Sequence, residues 1–185
     1  VFLLEEKNLV TKSSTLEVRV GTHPFTPSVA PDPAKTANDI SQLSGILHLV
    51  SFDSNSPNPD GTVSLQSVSK TRFNLSYAFP NPGGFGGSIS SFDDFATPAK
   101  ETQDLTGKSL VFGLRDPASP ARVVLQLEDS TGKKDQVTLT GVGSTERFFN
   151  LSTALFDDLD LTKVTGLVFL LEEKNLVTKS STLEV

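Results

Sequence analysis

The chain has no cysteine, no methionine and no tryptophan among its 185 residues. Without cysteine there are no disulfides, no thiolate chemistry and no zinc sites that use sulfur ligands. Cysteine and methionine are also the usual targets of oxidation, so their absence suits a long-lived, exposed material. Compositional drift explains the same absence equally well.

Positive charge and long apolar runs are also scarce. Sixteen Lys and Arg residues face 22 Asp and Glu residues, which gives a net charge of −6. Nucleic-acid binding needs clustered Lys and Arg, so this balance argues against a nucleic-acid partner. The longest apolar run is residues 167–171, far below the ~18 residues of a membrane helix. The composition therefore predicts neither a nucleic-acid partner nor a membrane span.

The chain repeats itself at its two ends. Residues 1–18, VFLLEEKNLVTKSSTLEV, return letter for letter as residues 168–185, an offset of 167 residues. This offset exceeds the period of helical and propeller repeats and is close to the size of a domain. Diverged ancient duplications do not stay identical over such a length. The sequence therefore predicts a tandem array of near-identical domains.

The apolar pattern has a period of two almost throughout. Val123, Leu125 and Leu127 face one way, and Gln126 and Glu128 face the other; this alternation is typical of a half-buried strand. A turn cluster at 129–135 then predicts a hairpin with a second strand at 137–139. Further strands are expected at residues 48–52, 63–79, 86–90, 109–114, 147–151, 166–171 and 181–185. Many short strands without a long amphipathic helix predict an all-β, antiparallel β-sandwich of the jelly-roll type.

Residues 22–39 break this pattern. Pro24, Pro27, Pro31 and Pro33 fall close together in a stretch with little to bury, which is typical of an extended, semi-rigid linker. Three parts are therefore expected. Residues 1–21 are the closing strands of a preceding repeat, residues 22–39 are a Pro-rich linker, and residues 40–185 are the sandwich domain.

One sandwich has room for one set of closing strands, but the chain carries two. Leaving apolar side chains exposed forfeits about 1.5–3 kcal/mol each. The first copy can dock in a neighbouring molecule by strand addition, displace its twin, or belong to a complete preceding unit of a continuous polymer. The residues predicted to mediate assembly are Val1, Phe2, Leu3 and Leu4 in the first copy and Val168, Phe169, Leu170 and Leu171 in the second.

Residues 73–176 resemble the galactose-binding-like jelly-roll domains found among carbohydrate-binding modules. The order of six segments carries the resemblance: residues 73–79, 83–87, 104–112, 124–133, 148–151 and 160–169. Within them the runs DLTGKSLVFGLR and DLTKVTGLVFLLE have the rhythm seen in such modules. The resemblance covers a little over half of the chain and implies the fold more strongly than a ligand.

Family membership would imply two sites, a sugar-binding face and a structural calcium ion. The family lines its sugar face with Trp or Tyr, whereas this chain has no Trp and a single Tyr. Tyr77 and Phe85 are the candidate carbohydrate contacts. For Phe85, in its glycine-rich loop, packing within the turn is the alternative.

Oxygen ligands for calcium cluster in one short loop, which holds Asp53, Asn55, Asn58 and Asp60. Calcium takes six to eight oxygen ligands, and alternating Asp and Asn can supply them. The alternative is an Asx-rich hairpin turn, in which the side chains bond their own backbone. Apart from calcium, no cofactor is expected.

No catalytic residue is predicted, because no nucleophile elbow or phosphate loop is present. Of the two histidines, His23 lies in the linker and His48 in an alternating strand, where a structural role is expected. The expected function is therefore a structural tandem-repeat module of a large extracellular fibre or cell-surface protein. Its partners would be copies of itself, in a linear polymer or a tandem array. The alternative is a non-catalytic carbohydrate-binding module with a polysaccharide partner, carried in tandem so that weak sites gain avidity.

Overall fold

The computed structural model describes residues 28–29, 48–54, 61–69, 72–120 and 122–185. These residues form eleven strands and three short 3-10 helices. The strands are β1 (Ser28–Val29), β2 (His48–Asp53), β3 (Thr62–Ser69), β4 (Arg72–Ala78), β5 (Phe85–Ser91), β6 (Ser109–Leu114), β7 (Val123–Asp129), β8 (Lys134–Leu139), β9 (Arg147–Ser152), β10 (Val164–Glu172) and β11 (Ser180–Glu184). The 3-10 helices are Thr153–Leu155, Leu161–Lys163 and Glu173–Asn175.

The first layer is a six-stranded sheet in the order β1-β8-β7-β10-β5-β2. All its pairings are antiparallel except that of β1 with β8, which is parallel. Strand β10 lies in the interior of this sheet, paired with β7 on one side and β5 on the other. Its continuous apolar run agrees with burial on both faces, because successive residues 166–169, which alternate between the faces, are all buried.

The second layer consists of a three-stranded sheet, β11-β4-β3, and a two-stranded sheet, β6-β9. An antiparallel bridge between Arg115 and Glu184 joins the two sheets. The Arg115 N–H donates to the Glu184 carbonyl oxygen at 3.0 Å, and the Glu184 N–H donates to the Arg115 carbonyl oxygen at 2.8 Å. Through this bridge β11 lies next to both β4 and β6.

A single apolar core fills the space between the layers. Leu125 from the first layer and Phe149 and Leu183 from the second are all fully buried. They belong to one cluster that draws residues from all three sheets. The described chain is therefore an all-β sandwich, as the alternating pattern predicts; the finer jelly-roll assignment stays a prediction.

Most strand predictions agree with the structure within a residue or two, but β8 begins at Lys134, inside the predicted turn and three residues before the predicted strand. Two further differences are larger. The predicted strand at 63–79 is instead the hairpin of β3 and β4, which pair antiparallel. In addition, Ser28 and Val29, inside the predicted linker, pair with Thr138 and Leu139 at the edge of β8. At this point the Pro-rich segment is bound to the sheet.

Candidate functional site

The duplicated sequence forms parts of both layers. We call residues 168–185 the closing segment and residues 1–18, which lie outside the described residues, the first copy. Val168–Glu172 forms the second half of β10, where it pairs with both β5 and β7 up to Leu170. After the 3-10 helix Glu173–Asn175, the segment continues as β11, which pairs with β4. One 18-residue sequence thus supplies half of the interior strand β10 to the first layer and all of β11, at the edge of the three-stranded sheet, to the second.

Five apolar side chains of the closing segment belong to the core: Phe169, Leu171, Leu176, Leu183 and Val185. Phe169 is 3% exposed, and Leu171 and Leu183 are fully buried. The Phe169 ring also makes an edge contact with Phe112 of β6, their centroids 5.2 Å apart. Of the predicted assembly residues, Val168, Phe169, Leu170 and Leu171 therefore lie inside β10. Val1, Phe2, Leu3 and Leu4 fall outside the described residues.

A buried carboxylate connects β4, the loop after β6, and β11. Asp116 has no exposed surface. The Tyr77 hydroxyl donates to its Oδ2 at 2.9 Å, and the Ser181 hydroxyl donates to its Oδ1 at 2.6 Å. The Ala118 N–H donates to the same Oδ1 at 2.8 Å. These bonds satisfy a charge whose burial would otherwise be very costly.

The loop that carries Asp116 is itself fixed. The Asp116 N–H donates to the Gly143 carbonyl oxygen at 2.8 Å, and the Ser119 N–H donates to the Asp116 carbonyl oxygen at 3.0 Å. Ser119 has a φ of +49°, which is uncommon for a residue other than glycine. These bonds therefore hold the Asp116 carboxylate next to β11, the strand that the closing segment forms.

Tyr77, a candidate sugar contact in the sequence, lies in the core and not on an exposed face. It is 3% exposed, and its ring stacks on Phe79 with centroids 5.7 Å apart. Burial, together with the neighbouring Asp116 carboxylate, raises the pKa of the Tyr77 hydroxyl. A sugar could not stack on a ring placed in this way, because both of its faces are covered.

Phe85, the other candidate, begins β5 and is 44% exposed. Its backbone N–H donates to the Ser54 hydroxyl at 3.2 Å. Phe95, which the sequence reasoning missed, is 63% exposed and stacks on His48 with ring centroids 4.9 Å apart. A phenylalanine in a loop gives no periodic signal, so only the fold reveals this exposed ring.

Three of the four candidate calcium ligands, Asn55, Asn58 and Asp60, fall outside the described residues. The remaining one, Asp53, accepts a hydrogen bond at Oδ2 from the Val63 N–H at 3.0 Å. Among the residues that the structure describes, no three His, Asp or Glu side chains form a group suited to a metal ion. Calcium stays a prediction, for which a calcium-dependent rise in Tm is the test.

Other carboxylates organise loops. Asp129 is 2% exposed and accepts at Oδ1 from the Thr131 hydroxyl at 2.6 Å and the Thr131 N–H at 2.8 Å. Its Oδ2 accepts from the Asp160 N–H at 3.2 Å. The Thr131 hydroxyl bond, with backbone N–H groups adding to it, outweighs desolvation and lowers the pKa of Asp129 to about 2. Asp129 therefore joins the β7–β8 turn to the loop before β10.

The sequence gives one retrospective signal for the Asp116 site. Tyr77 shares the inward parity of Phe73 and Leu75 on β4, so its hydroxyl had to find a buried partner. Asp116 is 39 residues away from Tyr77 and 65 from Ser181, and no local pattern connects positions so far apart. The pairing became visible only in the folded chain.

Nowhere in the described parts of the chain is there a helix long and apolar enough to cross a membrane. No protein-family model matches the chain, and neither a curated protein nor a solved structure matches it significantly. The function therefore has to be argued from the duplicated sequence and from the contacts of its described copy.

Proposed function

We infer that this protein is a non-enzymatic structural module, one β-sandwich unit of a tandem-repeat fibre or surface protein outside the cell. The observation that carries this proposal is the identity of residues 1–18 and 168–185, together with the place of the second copy in both layers. A repeated sequence with this structural role is a closing element, needed once by every unit. Its partners are other copies of the same unit.

The burial of the closing segment supports its role as an element that each unit needs once. Phe169 and Leu171 are at most 3% exposed, and burial stabilises such side chains by about 1.5–3 kcal/mol each. Phe2 and Leu4 are identical to them in sequence, so the first copy would gain the same free energy only in a unit whose own closing segment has left that site. A free first copy would also present an open strand edge, which promotes pairing with another chain.

The linker also fits an array of closely spaced units. Residues 19–27 separate the first copy from Ser28, which is paired with β8. At 3.3–3.6 Å per residue, this distance is at most ~35 Å. The chain length therefore limits the separation between residue 18 and the β8 edge, where β1 pairs, to about one domain diameter.

Light scattering over a wide concentration range tests the assembly. We expect the average molecular mass to rise with concentration and Phe2→Ser/Leu4→Ser to abolish the rise, because it removes the first copy's counterparts of the buried Phe169 and Leu171. Glu6→Gln, a polar change in the same copy, is the matched control and should associate normally. A folded chain that stays monomeric at high concentration would contradict the proposal.

The alternative is a carbohydrate-binding module, favoured by the exposure of two aromatic rings. Phe85 and Phe95 are 44% and 63% exposed, and exposed rings can stack on the apolar faces of sugars. A glycan array of plant, algal and bacterial polysaccharides tests this function. Binding that is lost in Phe85→Ala and Phe95→Ala would support it, and an array without hits would count against it.

A further inference from the structure

Asp116 lies where the body of the sandwich meets the closing segment. Two of its partners, Tyr77 and Ala118, belong to the body, which occurs once in the chain. The third partner, Ser181, belongs to the closing segment, and its counterpart in the first copy is Ser14. The shortest of the three hydrogen bonds therefore spans the boundary between the body and the repeated sequence.

The hydrogen bond of Ser181 and the burial of Leu183 both depend on the register of β11 against β4. Leu183, two residues after Ser181, is fully buried and lies opposite Leu75 of β4. A slip of one residue would turn Leu183 to the outer face of the sheet. A segment without a hydroxyl at the position of Ser181 would leave Asp116 Oδ1 without this donor in a fully buried site.

We propose that Asp116 is the specificity-determining residue for the strand that closes the sandwich. It selects a strand that places a hydroxyl two residues before a buried leucine, and the partner with this pattern is the first copy of a second chain. The identity of this partner rests on the proposed function, whereas the selection by Asp116 does not. Asp116 thus makes the closing segments of different units interchangeable and disfavours unrelated strands.

Disulfide trapping can show which copy occupies the site, since the chain has no cysteine of its own. The Ser76 and Thr182 hydroxyls lie 3.0 Å apart on neighbouring strands, so cysteines at these positions are within reach of each other. Ser76→Cys/Thr182→Cys reports the closing segment, and Ser76→Cys/Thr15→Cys reports the first copy. Both reporters use the full chain.

We expect Ser181→Ala to raise trapping of the Thr15→Cys reporter by roughly tenfold, because a lost hydrogen bond to a buried charge disfavours the closing segment by about that factor or more. Ser14→Ala should lower the same trapping. Ser181→Thr keeps a hydroxyl and should behave like the parent reporter. Ser180→Ala is the matched control, because Ser180 is exposed on the neighbouring position of β11.

The outcomes separate the two proposals. A disulfide between two chains supports both, whereas a disulfide within one chain supports selection by Asp116 and contradicts linear association. If Ser181→Ala and Ser14→Ala leave the Thr15→Cys trapping unchanged, or if Ser180→Ala changes it as much, Asp116 does not select the strand. Should Ser181→Ala fail to fold, the Ser14→Ala and Ser181→Thr chains decide the question, because each keeps the described closing segment able to bond Asp116.

Discussion

At the level of single residues, two buried aspartates perform different tasks. Asp116 connects strands that are distant in sequence, whereas Asp129 accepts hydrogen bonds from its own turn and from the loop at Asp160. Both are at most 2% exposed. Each accepts hydrogen bonds on both carboxylate oxygens, which offset the cost of burying a polar group.

Replacing Asp129 by asparagine should destabilise the domain by about 1–3 kcal/mol near neutral pH, because the amide nitrogen cannot accept a hydrogen bond. The pKa of Asp129 is about 2 in the folded chain, below the ordinary 3.8 of an aspartate. A lowered folded pKa stabilises the fold above the unfolded pKa, and this contribution is lost as the pH falls from about 4 towards 2. Asp129→Asn should therefore lose less stability over that interval than the parent chain.

Urea unfolding at pH 7, 4 and 3 measures this difference. Asp157→Asn, an exposed aspartate in the neighbouring loop, is the matched control and should follow the parent profile. Equal acid destabilisation of the parent and Asp129→Asn chains would show that Asp129 does not bring about the expected dependence.

The sequence can predict inward and outward positions at the level of residues, but not their partners. The alternation on β4 places Tyr77 with the core residues, yet the family resemblance suggested a sugar contact there. The burial of Tyr77 agrees with the prediction from periodicity and not with the sugar contact that the resemblance implies. Phe95 is exposed, and the sequence does not predict its exposure. Whether a ring in a loop is exposed depends on the fold around it, and no local pattern encodes that.

At the level of secondary-structure elements, β5 and β10 approach closely because β5 contains glycine. A Cβ atom added at Gly87 would collide with the backbone carbonyl of Phe169. Backbone cannot move aside as a flexible side chain can, so Gly87→Ala should force the two strands apart. Overpacking of this kind destabilises a core by about 1–3 kcal/mol or more.

The Tm from calorimetry or circular dichroism measures this effect. Gly143→Ala is the matched control, because its added methyl group would meet only the Ser119 hydroxyl at 3.7 Å, an ordinary contact distance. We expect a clear decrease in Tm for Gly87→Ala and little change for Gly143→Ala. Similar Tm values for both variants would mean that the β5–β10 spacing adapts.

Strand existence was predictable from periodicity, but strand ends and unusual pairings were not. The β3–β4 hairpin was read as one strand because no Gly, Pro or Asn occurs between Ser69 and Arg72. Its length was the missed signal, since most strands have about five or six residues. The pairing of Ser28 and Val29 with β8 depends on tertiary contacts that the proline content of the segment does not reveal.

At the scale of the whole molecule, the closing segment connects the stability of the two layers. It contributes to β10 in the first sheet and forms β11 in the second. The Arg115–Glu184 bridge then extends the second layer to β6. Loss of this segment removes half of β10 from the first layer and all of β11 from the second, so neither layer can remain complete without it.

Identical leucines in the two copies allow this role to be measured within one chain. Leu183 is fully buried, so Leu183→Ala should lower the free energy of unfolding by about 2–5 kcal/mol. Leu16→Ala makes the same change in an identical local sequence and is therefore the matched control. Because the described closing segment fills the interior positions, we expect Leu16→Ala to cost the dilute chain much less. Urea unfolding at low concentration gives both values, and equal losses would mean that the two copies share the site, contrary to the prediction.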